Sequence, residues 1–264
     1  MRIKLHLKPL TPNPQVMWNY HYPLASWLYR IIAKADADYA TFLHGKGYVA
    51  SNGKSFKHFT FSDLHFKMGK KLTNGFEIAS PNVQWTVSFL IDKTAENFII
   101  GLFRDQEIRL FNQEFDATFI IERVETFSEP IISSSTQLWA SSAMVVAEKV
   151  NGNYQYLEPT DKLFEKYLID GLIDKYISMK LERGESIDST LNDQHIAFKL
   201  LDTSKMKSRK VTIKEGGGAA TEIKGYRNFS FELTAPPEII KVGLYGGLGK
   251  YGATGFGYCE VVES

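Results

Sequence analysis

Residues 246–262 read GGLGKYGATGFGYCEVV, with six glycines in the twelve positions from Gly246 to Gly257. Glycine at that density lets backbone approach another surface closely, because no Cβ intervenes. Gly247-x-Gly249-x-x-Gly252 matches the spacing of a dinucleotide-binding turn. That turn needs a strand before it, a helix after it and an acidic residue about 20 positions on. Only twelve residues follow Gly252, and Phe256 to Val262 reads as a strand, so the match to a dinucleotide-binding turn is coincidental. A phosphate-cradling P-loop would need glycine at 244 and Ser or Thr at 251; Leu244 and Tyr251 stand there. TGFGYCEV, residues 254–261, approaches the RNA-recognition strand signature but lacks its basic first residue and last aromatic. Two readings survive: backbone N–H groups exposed for an anion, or a tight hairpin that only turns the chain.

The 264 residues are 44% hydrophobic and 23% charged, enough for one large core or two ordinary ones. No window approaches eighteen apolar residues, which argues against a membrane span. The opening MRIKLHLKPL alternates polar and apolar residues and lacks the apolar block of a signal peptide. Cys259 is the single cysteine, so an internal disulfide and a multi-cysteine zinc site are excluded. These features fit a reducing, cytoplasmic compartment. Net charge is +1, but its distribution is uneven. From His44 to Lys71 six lysines face one acid, Asp63. From Leu201 to Ser230 seven basic residues face three acids. Two such segments fit one face for nucleic acid, or solvated loops.

Element order reads as two similar halves. Arg2 to Lys8 alternates at period two. A helix opening at Pro23 puts Leu24, Leu28, Ile31, Ile32 and Ala35 on one face. Tyr39 to His44 is a further helical piece, and Phe56 to Leu64 an aromatic strand. Asn82 to Leu90 is a strand, Asp92 an N-cap, and Phe98, Ile99, Leu102 and Phe103 the inward face of the next helix. Ile108 to Glu125 returns as strand. Ser128-Glu129-Pro130 and the following serines mark a break. Thr136 to Lys149 is then a strand, followed by a long helix from Pro159 with Leu163, Phe164, Tyr167, Leu168, Leu172, Tyr176 and Ile177 on one stripe and Gly184 at its end. His195 to Leu201, Lys210 to Lys214 and Glu222 to Thr234 are strands, with a flexible tip at Gly216–Gly218. Pro236 to Val242 is a short helix before the glycine run. The reading is α+β, with two tandem ferredoxin-like βαββαβ domains at 1–127 and 128–264.

Conventional catalytic patterns are missing. His58 and His65 flank Asp63 without a metal-ligand spacing, there is no G-x-S-x-G elbow, and no carboxylates pair. Tyr29 stands apart: at about 100° per residue it lies roughly 120° from the centre of the apolar stripe and leaves the core. His44 ends a helical piece before a glycine-containing loop. Lys57 opens the aromatic strand, on the same side as Phe59 and Phe61. A neutral imidazole can take the proton of a ribose 2′-hydroxyl or return one to a leaving 5′-oxygen. A phenol can share that traffic, and a lysine can hold the negative charge of the phosphorane. Each of the three, taken alone, also reads as an ordinary surface side chain.

Three stretches, in order, carry a family resemblance: MRIKLHLKP with NYHYPLASWLYRIIAKADADYATFLH, then FKHFTFS, then KVGLYGGLGKYGATGFGYCEV. Across essentially the whole chain the sequence resembles the CRISPR-associated endoribonucleases of the Cas-six type, which cut precursor CRISPR RNA within its repeats. The resemblance implies metal-independent scission by 2′-hydroxyl attack, leaving a 2′,3′-cyclic phosphate and a 5′-hydroxyl, with no cofactor. It places the family's tyrosine on Tyr29, its histidine on His44 and its lysine on Lys57. Lys54 is a rival, because the loop after His44 is longer than in relatives. Base and acid stay unassigned between His44 and Tyr29. CRISPR repeat RNA is the implied partner. The glycine loop (Gly247, Gly249, Gly252, Gly255 and Gly257, with Lys250) is expected at the RNA backbone, its N–H groups toward phosphate. Lys205, Lys207, Arg209 and Lys210 are expected as further RNA contacts. A CRISPR effector complex is a candidate partner, and both monomer and homodimer stay open. The alternative is a non-catalytic RNA-binding subunit of such a complex with the same fold.

Overall fold

The structure, a computed structural model, describes residues 1–187, 194–213 and 221–262. Lys214 and the glycine tip at 216–218 lie outside the described residues. The chain is mixed α/β, with two main antiparallel sheets.

The first sheet has the strand order Phe59–Phe61, Val83–Phe89, Arg2–Pro9, Asp116–Thr126, Glu107–Phe111. Its opening strand alternates as its sequence requires: Ile3, Leu5 and Leu7 are buried on one face, with Lys4, His6 and Lys8 on the other. Helix α1 (His21–Ala35) buries Leu24, Leu28, Ile31 and Ile32. It starts two residues before Pro23, so the proline sits in the first turn, where a missing N–H costs nothing. Helix α2 (Ala37–His44) follows directly, its first turn capped by Asp36 Oδ1 accepting from Tyr39 N at 2.9 Å. Helix α3 (Asp92–Arg104) differs from expectation at both ends. Ile91 precedes it and Asp92 is its first helical residue rather than its cap. Phe98 and Leu102 are buried, but Phe103 is 83% exposed.

The second sheet has the order Ala197–Asp202, Ser230–Thr234, Ser135–Ala140, Cys259–Val261. Helix α4 (Phe164–Glu182) and helix α5 (Pro237–Gly246) connect its strands and pack on each other. Gly184 closes α4 with φ +65°, its N–H reaching Leu181 O. Four expected strands are broken. Ile108 to Glu125 divides into the antiparallel pair Glu107–Phe111 and Asp116–Thr126. Phe56 to Leu64 breaks at His58, φ +55°. Residues 136–149 break after Ala140. Residues 222–234 break at Asn228, φ +60°, into Thr221–Arg227 and Ser230–Thr234. Thr221–Arg227 pairs with Lys207–Ile213 as a hairpin that reaches the first half, where Asn19 Nδ2 donates to Thr212 O. A small sheet of Gln15–Met17, Gly75–Ile78 and Met68–Lys71 was not expected.

A small apolar cluster of Ala143, Val145, Val211, Ile223 and Phe256 lies beside two larger cores, one built from residues between Ile3 and Ile121 and one from residues between Leu138 and Cys259. A buried cation joins the two larger cores. Arg2, 8% exposed, donates Nη2 to Leu244 O at 2.8 Å and to Cys259 O at 2.5 Å. Its guanidinium lies 4.5 Å from the centroid of the Tyr258 ring.

Candidate active cleft between the halves

A cavity of about 770 Å³ lies between the halves. Its first wall comes from α1, the end of α2 and the chain around the broken aromatic strand. Tyr22, Ser26 and Tyr29 line it from one face of α1, as their spacing of four and three residues dictates. Tyr29 is half-buried and meets Phe59 edge-on, with centroids 5.6 Å apart. His44, exposed at the last position of α2, meets the same tyrosine edge-on at 5.0 Å.

Lys57 lies in the strand break rather than in the strand. It donates Nζ to Gly45 O at 2.7 Å, one residue beyond His44. Gly47, φ +60°, makes this crossing possible: a Cβ there would stand 2.9 Å from both Cδ and Nζ of Lys57. Tyr29, His44 and Lys57 therefore meet on one wall. Lys54 does not join them. Its Nζ bonds Asp174 Oδ2 on α4 at 2.6 Å, and Asn52 Nδ2 holds Oδ1 of the same carboxylate at 2.7 Å. Burial pushes the Tyr29 phenol above its ordinary range and the Lys57 ammonium below its own.

The second wall is a face of α4 and the glycine loop. The α4 stripe read from sequence buries Phe164, Leu168, Leu172 and Tyr176, but Leu163 is exposed. The helix also buries polar residues: Asp174, Lys175 and Ser178 are each under 10% exposed. Ser178 Oγ donates to Lys175 O at 2.9 Å, so at 2.8 Å it accepts from His58 Nε2–H. This leaves the neutral His58 lone pair on Nδ1, buried and without a partner among the described residues. The left-handed turn at His58 thus swings its ring onto α4.

Of the loop residues expected at RNA, Gly249, Lys250 and Gly252 line the cavity. Gly247, Gly255 and Gly257 are buried. The N–H of Gly255 donates to Gly252 O at 2.8 Å and that of Gly257 to Ala143 O at 2.9 Å. These two offer no N–H to a phosphate, which corrects the expectation for them. Their lack of a side chain serves packing within the protein. Gly257 has φ +71°, and a Cβ there would be driven into the Leu248 carbonyl. A methyl at 257 is expected to cost about 3 kcal/mol or more, from overpacking and left-handed strain together. Urea unfolding of Gly257→Ala checks this, and a wild-type midpoint would contradict it.

The expected basic run also separates. Lys205, Lys207 and Lys210 are exposed, with Lys210 paired to Glu222 at 2.9 Å. None of them lines the cavity. Arg209 turns inward instead, donating Nη1 to Asp63 Oδ1 at 2.7 Å and contacting His21 Nδ1 at 2.9 Å. Arg227 bonds Asp63 Oδ2, and His21 Nε2 meets Asp63 Oδ1 at 2.7 Å. Arg209 is therefore a tie between the hairpin and the first half, not a free RNA contact. Burial opposes the Asp63 charge, but Arg209, His21 and Arg227 outweigh it and hold the carboxyl well below its usual range.

Two buried imidazoles give the fold a pH dependence. Burial, aided by Arg209, pushes His21 down to about 4. Burial, aided by Lys175 and Arg183, pushes His58 down to about 3. Unfolding frees both to bind protons near 6.5, so the unfolded chain holds more protons below that pH. Their contribution is complete above about 6.5 and is lost as pH falls through 4 and then 3. Denaturant midpoints should fall steadily from pH 7 to pH 4.5, and a flat profile would contradict buried neutral histidines.

Among the described residues, no three His, Cys, Asp or Glu side chains gather as a metal site requires. No described helix is long and apolar enough to cross a membrane. The family model for the C-terminal part of CRISPR-associated protein Cas6 matches residues 127–261, and that for the N-terminal part matches residues 15–125. CRISPR-associated endoribonuclease Cas6 1 of Methanocaldococcus jannaschii is 26% identical over 268 residues, covering 100% of this chain and 93% of the relative. CRISPR-associated endoribonuclease Cas6 of Pyrococcus furiosus is 23% identical over 265 residues, covering 99% and 90%. A solved structure described as a Cas6-related gene from Pyrococcus furiosus aligns with a TM-score of 0.80 at 21% identity, covering 100% of this chain and 98% of the other. The chain belongs to the Cas6 family of CRISPR-associated proteins.

Proposed function

We propose that this protein is an endoribonuclease that cuts precursor CRISPR RNA within its repeats, by a metal-independent attack of a ribose 2′-hydroxyl. The observation that carries the reading is the meeting of Tyr29, His44 and Lys57 on one wall of the cleft. The names of the two relatives support the substrate and the reaction class. We also infer that residues 1–127 and 128–264 are separate ferredoxin-like domains. The strand orders support this: in each sheet the opening strand lies between the strands that precede and follow the second connecting helix. The first sheet adds one edge strand to that plan.

The roles follow from the environments. His44 is open to the cleft and accepts the 2′-hydroxyl proton as its neutral imidazole. The 2′-oxygen bonds phosphorus as the P–O5′ bond breaks, so no water is consumed. Tyr29 is the proton donor to the departing 5′-oxygen, because burial keeps its phenol protonated at neutral pH. The proton on His44 then returns to the Tyr29 oxygen, which restores both groups for the next cut. Lys57, held beside His44 by Gly45 O, neutralises the charge gathering on the phosphorane oxygens.

The products test this. Incubated in EDTA with RNA of the repeat from its own array, the protein should make one cut. Mass spectrometry should find a 2′,3′-cyclic phosphate on one fragment and a 5′-hydroxyl on the other. Tight binding without any cut would assign a binding subunit instead.

A further inference from the structure

His44 and Lys57 stand at the two ends of one hairpin. His44 ends α2. The chain then runs through residues 45–47 into a pair of two-residue strands, Tyr48–Val49 and Ser55–Phe56, and Lys57 follows. Within the hairpin, Ser55 Oγ donates to Lys46 O, and Ala50 N donates to Lys54 O at 2.9 Å. Gly53, φ +80°, turns the tip, its N–H reaching Ala50 O at 2.9 Å. Strands this short hold a hairpin only marginally. A cation and a general base, by contrast, must keep a fixed mutual geometry to act on one phosphate.

The hold comes from the second half. Asp174 of α4, 9% exposed, accepts from Lys54 Nζ on Oδ2 at 2.6 Å and from Asn52 Nδ2 on Oδ1 at 2.7 Å. Asn52 Oδ1 accepts in turn from Lys54 N at 3.1 Å, so a single carboxylate gathers the whole tip. Four residues further along the same face of α4, Ser178 holds the ring of His58, the residue after Lys57. Helix α4 thus grips the hairpin at its tip and again beside its base, and it packs on both short strands. The added length of this loop and the lysine that rivalled Lys57 have one explanation: Lys54 is the tie, and Lys57 is left free to face the cleft.

We propose that Asp174 is a positioning residue for the cut, which clamps the tip of the hairpin to the second half and so fixes Lys57 beside His44. This rests on the reaction proposed above. Asp174 acts through Asn52 and Lys54, and the ion pair also withdraws its charge from the path of the RNA phosphates.

The test separates rate from binding. Asp174→Ala should slow single-turnover cleavage at saturating repeat RNA by roughly 10- to 100-fold, the scale of a small misplacement of reacting groups. RNA affinity, measured in a His44→Ala background so that nothing is cut, should not weaken. Lys54→Arg keeps the tie and should keep the rate. Hydrogen exchange at the amides of Ala50 and Gly53 should quicken in Asp174→Ala. If Asp174→Ala does not fold, Asn52→Ala, which removes one of the two ties from an exposed side chain, carries the test with a several-fold loss of rate. A wild-type rate in a folded Asp174→Ala protein overturns the proposal. So does a loss that appears in affinity alone, which would make Lys54 and Asp174 part of RNA binding. A wild type that never cuts defeats the reaction, and the positioning role with it. Exchange at Ala50 and Gly53 then still shows whether Asp174 clamps the hairpin, so the two failures are distinguishable.

Discussion

Replacing His44 with Ala should slow single-turnover cleavage of repeat RNA by roughly 100- to 10,000-fold, the range for loss of a positioned general base. RNA affinity should change little, because His44 is one exposed group at the rim of a large cleft. No neighbour replaces it. The Tyr29 phenol is pushed further from neutrality by its burial, so it cannot take over as base. Lys57 is tied to Gly45 O and serves as a cation. The effect should therefore sit in the rate constant rather than in binding. A His44→Ala protein that cuts at the wild-type rate would remove the trio from the reaction even if the fold and the RNA stand.

Asp63→Asn should produce the largest loss of stability, about 3–5 kcal/mol, as when one partner of a buried ion pair is removed. The carboxylate is 8% exposed and accepts from Arg209, Arg227 and His21 together. Asparagine keeps the shape but offers a single acceptor oxygen and turns an NH2 toward a guanidinium. Two arginines then lose the charge that offsets their desolvation. The first consequence is release of the hairpin Lys207–Ile213 and Thr221–Arg227 from the first half. Urea unfolding with a probe in each half measures it, and an unchanged midpoint would mean that the cluster holds nothing together.

What could be read in the chain divides along the distance between partners. Strands and helices with strong local periods were legible: Ile3, Leu5 and Leu7 on one face, Leu24 to Ile32 on another. Tyr29 was legible too, because leaving an apolar stripe is a property of one helix. His44 and Lys57 stand out in the sequence only as candidates that also read as ordinary surface side chains, and the family resemblance is what gives them roles. Their contact depends on Gly45 and Gly47, whose backbone carries one lysine past the end of α2.

Asp63 read as the lone acid in a basic stretch. Its role appears only when Arg209 and Arg227 arrive from 146 and 164 residues away. Arg2 was hidden for the same reason, since its acceptors lie 242 and 257 residues on. The glycine run was read as an array of free N–H groups. The carbonyls of Ala143 and Val145, far earlier in the chain, occupy two of them, those of Gly257 and Lys250. FKHFTFS alternates like an unbroken strand, and the contact with Ser178 on α4 that accompanies the left-handed turn at His58 lies 120 residues away.

In the reaction proposed above, the ribose of the substrate, not water, attacks phosphorus. The direct measurement uses two repeat RNAs in EDTA: one all-ribose, and one with a single 2′-deoxy nucleotide on the 5′ side of the cut mapped with the first. One cut is expected in the all-ribose RNA, with an intact deoxy substrate that still binds with comparable affinity. Cleavage of the deoxy substrate at the same position would contradict it, because the attacking oxygen would then come from elsewhere.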